Sequence, residues 1–276
     1  MYLVVRVLKR KYNKKLSWYK DKNIVITGAS SGIGYAFASH LCSVPCNLII
    51  CGRDKEALYK SADSLINRGG TVKGLFISDL ADIGQTSKLI EEIKALCIPD
   101  VLINNAGYGE IRDFASISEA DMLAMISVNC TSPLMLIRSF VNEMKGLRGC
   151  GILNVGSVAS FFPTPGSALY CATKHFILGL TDALHHELKP HGVYVTGLYP
   201  GHTMTQFIQR ASKGRLAQWQ SAMSAEDVAL AGLIGLSKNA LRVVPGLTNK
   251  TKVAASKIVP PEIIMQRVYR KAKKVV

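Results

Sequence analysis

Hydrophobic positions along the chain follow two alternating patterns. Short apolar runs rich in β-branched residues predict strands, and longer stretches with apolar residues at helical spacing predict the helices between them. The predicted strands are 23–27, 47–51, 71–77, 101–105, 151–155, 194–200 and 242–245. The predicted helices are 32–43, 55–68, 82–96, 119–146, 170–189 and 224–237. Two helix starts have capping-box spacing, Ser118-x-x-Asp121 and Ser224-x-x-Asp227.

The regular alternation of strand and helix predicts an α/β fold. The expected architecture is a doubly wound, seven-stranded parallel sheet with helices on both faces. With 276 residues and 48% apolar content, the chain can bury a large core. Neither a Pro/Gly/Ser-rich linker nor an internal repeat interrupts the pattern. We therefore expect a single domain at 22–249, with extensions at 1–21 and 250–276.

Positive charge is concentrated at the two ends of the chain. The net charge is +15, of which residues 1–22 and 250–276 carry +7 each. The nearly neutral body argues against a nucleic-acid-binding face. The basic ends fit contact with an anionic membrane surface or an acidic carrier protein, and the alternative is that they are only solubilising tails. The stretch from Pro260 predicts an amphipathic basic helix, for which subunit contact is another possible role.

The expected location is the cytoplasm, with or without peripheral attachment to a membrane, and not the secretory route. No apolar run approaches the ~18 residues of a spanning helix. The first apolar stretch is too short for a signal peptide and is interrupted by Arg6. Seven cysteines without C-x-x-C spacing indicate reduced thiols. His185, His186 and His191 are interpreted as solvated residues at a helix end, and no metal site is predicted.

The stretch TGASSGIG, residues 27–34, joins a predicted strand to a predicted helix. Gly28 and Gly32 permit a tight turn, and Gly34 lets the helix pack near the sheet. Free N–H groups at such a helix start favour a phosphate, and Ser30 and Ser31 can add hydroxyl donors. The alternative is a tight turn that binds nothing.

The second strand ends in CGRD, residues 51–54. Sites that prefer NAD usually hold the ribose 2′-OH with a carboxylate at this point. Here Arg53 can bind a 2′-phosphate through two charge-assisted hydrogen bonds, which favours NADP(H) over NAD(H). The alternatives are that Arg53 is only solvated, or that Asp54 turns inward and weakens the preference.

Six motifs occur together in one order. They are TGASSGIG, Asp79 after the third strand, NNAG at 104–107, Ser157, YCATK at 170–174 and PG at 200–201. In this order and spacing, over residues 22–246, the chain resembles the short-chain dehydrogenase/reductase family. The resemblance implies a Rossmann-type fold, NAD(P)(H)-dependent oxidoreductase activity and a homodimer or homotetramer.

Tyr170 and Lys174 are one helical turn apart, so both lie on one helix face. A nearby ammonium stabilises a phenolate, so we expect the pKa of Tyr170 to be lowered and the phenol to exchange a proton with substrate. Ser157, at a strand end, is expected to hydrogen-bond the substrate oxygen, with Ser160 as a neighbouring alternative. By the resemblance, Asn129 is the fourth catalytic residue and holds a water that links Lys174 to solvent.

The resemblance also implies the residues that bind the cofactor. Asp79 is expected at the adenine, the NNAG turn braces the sheet, and Thr203 and Thr205 contact the carboxamide. The full expected set is Thr27, Gly28, Ser30, Ser31, Gly32, Ile33, Gly34, Arg53, Asp79, Asn105, Ala106, Gly107, Tyr170, Lys174, Pro200, Gly201, Thr203 and Thr205.

Substrate is expected between the 158–169 loop and the segment 202–222, which predicts a short helical lid. Both segments are apolar and favour a lipid-like carbonyl substrate, although the aromatics can instead pack the lid on the body. The apolar residues are Phe161, Phe162, Pro163, Pro165, Met204, Phe207, Ile208, Leu216 and Trp219. Arg210, Lys213 and Arg215 either meet an acidic head group or face water.

These expectations favour an NADPH-dependent reductase of an apolar ketone or aldehyde. One alternative is an NAD(P)-dependent alcohol or hydroxysteroid dehydrogenase working oxidatively. Another is a catalytically silent nucleotide-binding scaffold, which has no physical need for the intact set Asn129, Ser157, Tyr170 and Lys174.

Overall fold

The computed structural model describes residues 15–147, 149–212, 214 and 222–272. Within them, seven parallel strands form one sheet in the order β3-β2-β1-β4-β5-β6-β7. The strands are β1 Asn23–Thr27, β2 Asn47–Gly52, β3 Thr71–Ile77, β4 Val101–Asn104, β5 Cys150–Val155, β6 Val193–Leu198 and β7 Arg242–Val243. The predicted single-domain, doubly wound α/β fold is confirmed. The predicted last two strands are shorter than expected, because Pro200 and Pro245 have no N–H to continue a ladder.

Helices cover both faces of the sheet. They are α1 Gly32–Leu41, α2 Lys55–Asn67, α3 Ile83–Leu96, α4 Glu119–Ile126, α5 Ser132–Met144, α6 Ala168–Leu188, α7 Phe207–Ala211, α8 Ala225–Ser237, α9 Leu247–Ala255 and α10 Pro261–Ala272. The predicted helix 119–146 is present as one helical stretch, Glu119–Met144, in which a π-helical turn at Ser127–Thr131 separates α4 from α5. Pro133 at the start of α5 lacks the N–H that a regular α-helix needs, and the turn widens just before it.

The stretch Glu119–Met144 has the length and composition of a membrane-crossing helix, with a mean hydropathy of 1.4 in its most apolar window. Half of that window is buried inside the protein. Leu136 and Phe140 in α5 belong to the core cluster that also contains Val25 and Leu102 of the sheet. The segment is therefore a helix of the domain core.

The strands are apolar along their whole length because both faces of the sheet are covered. Successive residues of β1 contribute to opposite faces. Ile24 and Ile26 pack with Phe37 of α1 on one face, and Val25 packs with Phe140 of α5 on the other.

The two chain extensions join the domain at opposite edges of the sheet. Before β1, Tyr19 is fully buried and its hydroxyl donates to the Leu233 carbonyl at 2.8 Å. Trp18 stacks on Tyr194 near the start of β6, with a centroid distance of 5.7 Å. The C-terminal helices α9 and α10 follow β7 and lie at the carboxyl edge. Residues 1–14 and 273–276, which carry part of the basic charge, lie outside the described residues.

Candidate active site

A cleft of about 940 Å³ opens at the carboxyl edge of the sheet. It lies beside the point between β1 and β4 where the strand order reverses, which is where ligands bind in open α/β sheets. Its walls come from the turns that follow β1 to β6, and from α9 and α10.

The glycine-rich turn after β1 depends on the absence of side chains. Gly28 and Gly32 adopt φ values of +67° and +56°, in the left-handed region. A Cβ on Gly34 would lie 2.1 Å from the Gly28 carbonyl oxygen, so α1 starts against the turn itself. The Ser31 side chain makes no capping hydrogen bond, which leaves the helix start open to an anion. These features fit the phosphates of a dinucleotide.

The NNAG turn after β4 braces the glycine-rich turn. The Asn105 amide donates to the carbonyls of Thr27 and Gly28 at 2.9 and 3.2 Å. The Thr27 hydroxyl accepts from the backbone N–H groups of Asn105 and Ala106, both at 3.0 Å. Thr27 is 1% exposed and does not line the cleft, so its contacts brace the turn, and its expected contact with cofactor stays a prediction.

All but two of the residues expected to bind cofactor line the cleft. The two exceptions are Thr27 and Gly34, and Gly34 acts through close helix packing. Those that line it are Gly28, Ser30, Ser31, Gly32, Ile33, Arg53, Asp79, Asn105, Ala106, Gly107, Tyr170, Lys174, Pro200, Gly201, Thr203 and Thr205.

At the end of β2, Arg53 and Asp54 have separate roles. Asp54 caps α2 by accepting a hydrogen bond from the Ala57 N–H at 3.0 Å. The carboxylate is thus occupied at the helix start, while the exposed Arg53 lines the cleft. Asp79 also lines the cleft and accepts from the Ala81 N–H at 3.0 Å.

Ser157 and Ser160 form a reciprocal capping box at the end of β5. The Ser157 hydroxyl accepts from the Ala159 N–H at 3.1 Å, and the Ser160 hydroxyl accepts from the Ser157 N–H at 3.2 Å. Ser160 is fully buried, whereas Ser157 lines the cleft. Position therefore favours Ser157 as the residue that meets a substrate oxygen.

Tyr170 and Lys174 lie on the cleft-facing side of α6. The Lys174 ammonium is 5.8 Å from the Tyr170 ring centroid and donates to the Val155 carbonyl at 3.0 Å. Burial raises the pKa of Tyr170 to about 12, against the opposing effect of a hydrogen bond from Ser157. Burial also lowers the pKa of Lys174 to about 8. The expectation of a lowered phenol pKa is thus wrong for this arrangement, because loss of hydration outweighs the hydrogen bond from Ser157.

The ring of Tyr170 is held from two sides. Its centroid lies 5.6 Å from that of Phe207 in α7. A Cβ on Gly109 would lie 2.5 Å from the Tyr170 ring, so the 107–109 backbone passes directly over it. The phenol is therefore fixed in direction at the cleft floor.

Asn129 sits in the π-helical turn, 1% exposed, behind the cleft wall. Its amide donates to the Tyr108 carbonyl at 2.8 Å and to the Thr173 hydroxyl at 3.0 Å, and its carbonyl accepts from the Tyr108 N–H at 3.1 Å. A Cβ on Gly107 would lie 3.0 Å from the Asn129 carbonyl oxygen and 3.2 Å from the Lys174 ammonium. Asn129 thus ties the 107–109 backbone to α6, and its expected water-holding role stays a prediction.

The apolar wall differs from the one expected. Phe162 and Phe207 line the cleft, but Phe161 packs edge-on against Tyr199 at 4.9 Å instead. Met204 is 49% exposed and does not line it. The predicted helical lid corresponds in part to the short α7, and Lys213, Arg215, Leu216 and Trp219 lie outside the described residues.

The C-terminal helices form a wall that sequence reasoning missed. Asn249 of α9 packs on Gly201, where a Cβ would lie 2.3 Å from the Asn249 carbonyl oxygen. Lys252 and Ser256 line the cleft, as do the apolar residues Val259, Ile263, Ile264 and Val268. The amphipathic pattern of α10 indicated that one face of this helix is covered, but it did not indicate that the covered face lines the catalytic cleft.

The histidine interpretation also needs one correction. His185 is 7% exposed and its Nδ1 lies 2.6 Å from the Val195 carbonyl oxygen, so it is a satisfied core residue. All seven cysteines are free thiols.

Comparisons with known proteins agree with this geometry. A sequence model described as short chain dehydrogenase matches residues 22–216. An uncharacterized oxidoreductase of Bacillus subtilis is 30% identical over 71% of this chain and 73% of its own. A 3-oxoacyl-(acyl-carrier-protein) reductase of Rickettsia felis is 29% identical over 83% of this chain and 89% of its own. A short-chain dehydrogenase of Sphingobium yanoikuyae, solved with NADPH, superposes with a TM-score of 0.75 at 27% identity, over 87% of this chain and 96% of that one.

Proposed function

Because the chain belongs to the short-chain dehydrogenase family and is an NAD(P)(H)-dependent oxidoreductase of small molecules, we propose that it reduces an apolar ketone or aldehyde with NADPH. One observation carries the proposal. The Tyr170 phenol and Ser157 line the same cleft, Lys174 lies one helical turn from Tyr170, and the C-terminal segment adds an apolar wall of Val259, Ile263, Ile264 and Val268.

The chemistry divides between the cofactor and the chain. When bound, the reduced nicotinamide supplies a hydride to the carbonyl carbon. The Ser157 hydroxyl donates a hydrogen bond to the carbonyl oxygen, and the Tyr170 phenol donates its proton to that oxygen. Lys174 stabilises the phenolate that remains. With a raised pKa, the phenol is fully protonated at neutral pH, which is the form that reduction uses.

NADPH is proposed over NADH on the position of Arg53. This guanidinium is exposed at the rim of the cleft beyond β2, and the neighbouring Asp54 is engaged as a helix cap. A 2′-phosphate can accept two hydrogen bonds there.

The test is a screen of NADPH oxidation against acyl, steroid, retinoid and quinone carbonyls, with NADH in parallel. We expect turnover with at least one apolar carbonyl, faster with NADPH. For an oxidative dehydrogenase we expect instead a higher kcat/KM for the corresponding alcohol with NAD(P)⁺ than for the carbonyl with NAD(P)H at neutral pH. A silent scaffold binds dinucleotide and turns over none of the compounds. Faster turnover with NADH contradicts the role assigned to Arg53.

We also propose that the enzyme works in the cytoplasm and that its C-terminal surface touches an anionic membrane or an acidic carrier. Leu247 and Ile258 are 78% and 84% exposed, and Ile258 lines a shallow apolar pocket together with Lys250 and Lys257. Exposed apolar and basic side chains together suit an anionic lipid surface.

Flotation with anionic vesicles tests the membrane contact. The double variant Leu247→Glu with Ile258→Glu is expected to abolish flotation, because it replaces both exposed apolar side chains with carboxylates. Neither residue lines the catalytic cleft, so activity should be retained. Removal of residues 1–14 is the companion variant, which leaves the buried Leu16 and Tyr19 in place. Unchanged flotation in both variants contradicts the proposal, and binding of an acidic carrier protein without vesicle binding favours the other partner.

Subunit pairing is proposed through α4, α5 and α6. Leu123, Leu134 and Phe176 on these helices are 60%, 43% and 42% exposed. Light scattering is expected to show a dimer or tetramer that Phe176→Glu dissociates. A monomeric wild-type protein contradicts this pairing.

A further inference from the structure

The wall formed by α9 and α10 adds a positive charge, that of Lys252, to the lining of the catalytic cleft. The charged residues that line the cleft are Arg53, Asp79, Glu110, Lys174, Arg210 and Lys252. Glu110 is bound by Arg112, which also pairs with Asp121. Arg53 and Asp79 follow β2 and β3, on the side of the glycine-rich turn. Arg210 and Lys252 therefore remain as the two cations contributed by the α7 and α9 walls.

Both of these cations lack a carboxylate partner in the described part of the chain. Arg210 donates to the Gln206 side-chain oxygen at 2.6 Å, which leaves its charge uncompensated. The field of Lys252 reaches into the cleft, because it lowers the pKa of His202, whose main lowering comes from burial. A neutral imidazole beside Lys252 leaves this region with a net positive charge.

The same region is tied closely to the catalytic residues. The Ile111 N–H donates to the Ala211 carbonyl at 2.9 Å, which fixes the end of α7 beside the 107–111 segment over Tyr170. Asn249, one turn before Lys252, is packed on Gly201. Beyond Lys252, the cleft continues along Val259, Ile263, Ile264 and Val268. The phenol, the two cations and the apolar wall thus line one and the same cleft.

We infer that the substrate is an anionic amphiphile: a carbonyl compound with an apolar body and one carboxylate or phosphate group, which Arg210 and Lys252 bind at the cleft rim. The inference rests on the proposed carbonyl reduction and specifies its substrate class. The apolar body lies against α10, and the anionic group neutralises the two cations. A neutral compound of the same length leaves both cations without a counter-charge.

Binding is measured first, because it does not require turnover. The NADP⁺-loaded enzyme is titrated calorimetrically with laurate, lauryl phosphate and methyl laurate. We expect the two anions to bind about tenfold more tightly than the neutral ester. In the double variant Arg210→Met with Lys252→Met, that preference disappears while affinity for the ester stays unchanged. Stronger binding of one anion identifies the head group.

Lys250→Met provides the matched control. It removes the same charge from the same helix, but Lys250 lines the separate surface pocket next to Ile258. It should leave the preference for anions intact. If Lys250→Met and Lys252→Met weaken the preference for anions equally, the inference is overturned. The preference would then come from the general positive charge of the surface and not from a binding site. Equal affinity of the wild-type enzyme for laurate and methyl laurate overturns it as well.

Turnover then separates the inference from the proposed function. The wild-type enzyme should reduce ω-oxolaurate with a kcat/KM about tenfold above that of its methyl ester, and the double variant should reduce both equally. The KM for NADPH should not change, since Arg210 and Lys252 are assigned to substrate. Reduction of neutral carbonyls with no preference for anions overturns the inference alone. Anion-selective binding with no reduction of any carbonyl overturns the proposed function, and it leaves only the anion-binding role of Arg210 and Lys252 in place.

Discussion

The Lys174 ammonium lies 5.8 Å from the centroid of the Tyr170 ring, with Lys174 buried and Tyr170 half-buried at the cleft floor. Burial pushes the two pKa values apart, to about 12 for the phenol and about 8 for the ammonium. Each shift disfavours the charged form. Near neutral pH, the pair is therefore a protonated phenol beside a charged ammonium, ready to give a proton to a substrate oxygen.

Tyr170→Phe should reduce kcat for carbonyl reduction by roughly 10²–10⁴-fold, because the proton donor is lost. The phenyl ring still packs between Phe207 and Gly109, so dinucleotide affinity should stay within about twofold of wild type. NADPH oxidation and a fluorescence titration measure the two quantities. Tyr35→Phe is the matched control, since its hydroxyl contacts Ser64 outside the cleft and its loss should leave turnover intact. Substantial turnover by Tyr170→Phe would remove the phenol from the mechanism.

The rate of reduction should depend on pH through Lys174. Its pKa of about 8 means that the ammonium charge is present below this pH and is lost above it. The Tyr170 phenol stays protonated up to about pH 12, so its ionisation does not change the rate at lower pH. We expect kcat/KM to be flat at neutral pH and to fall as pH rises through about 8. A profile that rises through the same range contradicts the assignment.

Lys174→Met should stabilise the fold while it abolishes activity. The folded-state pKa is below the unfolded value of 10.5, so the unfolded chain binds more protons between about pH 8 and 10.5. Wild-type stability should rise with pH across this window. Below it, the buried charge costs about 3 kcal/mol, from which loss of the Val155 hydrogen bond subtracts about 1 kcal/mol in the variant.

Urea unfolding of both proteins at neutral and alkaline pH measures this difference. The variant should be more stable by about 2 kcal/mol at pH 7, and its advantage should shrink as pH rises. An advantage that is independent of pH would assign the gain to packing and not to the buried charge.

Arg53→Ala should raise the KM for NADPH by about 10- to 100-fold and leave that for NADH nearly unchanged. The lost interaction is with the 2′-phosphate, which NADH lacks. Lys55→Ala removes a neighbouring exposed charge at the start of α2 and should alter neither constant. Equal effects on both cofactors would assign Arg53 to general electrostatics.

Gly34→Ala should unfold the glycine-rich turn or abolish dinucleotide binding. The added Cβ would lie 2.1 Å from the Gly28 carbonyl oxygen, so α1 must move by more than an ångström. We expect a loss of more than about 3 kcal/mol in unfolding free energy, or no measurable NADPH affinity. Gly179→Ala in α6 meets nothing within 4 Å and should instead gain about 0.5–1 kcal/mol. A well-folded, NADPH-binding Gly34→Ala protein contradicts this account of the turn.

The sequence by itself determined the fold and which residues lie at the carboxyl edge of the sheet. Strands buried on both faces must be apolar throughout, as β1 and β2 are, and that pattern is local. Parallel strands bring their carboxyl ends to one edge, so Gly28, Asn105, Ser157 and Tyr170 had to meet there. The weakly patterned α9 was not predicted, since its stretch has few apolar residues and its stability comes from contacts such as Asn249 on Gly201.

Only the tertiary structure decided what each of those residues experiences. Burial, which comes from distant segments closing over α6, reversed the expected pKa shift of Tyr170. Packing also separated Ser157 from Ser160, turned Thr27 inward and placed Ile263 of α10 at the cleft. Desolvation and side-chain neighbours depend on how far-apart segments pack together. Local residue order carries the period of a strand or helix, but it does not specify which surface that element will cover.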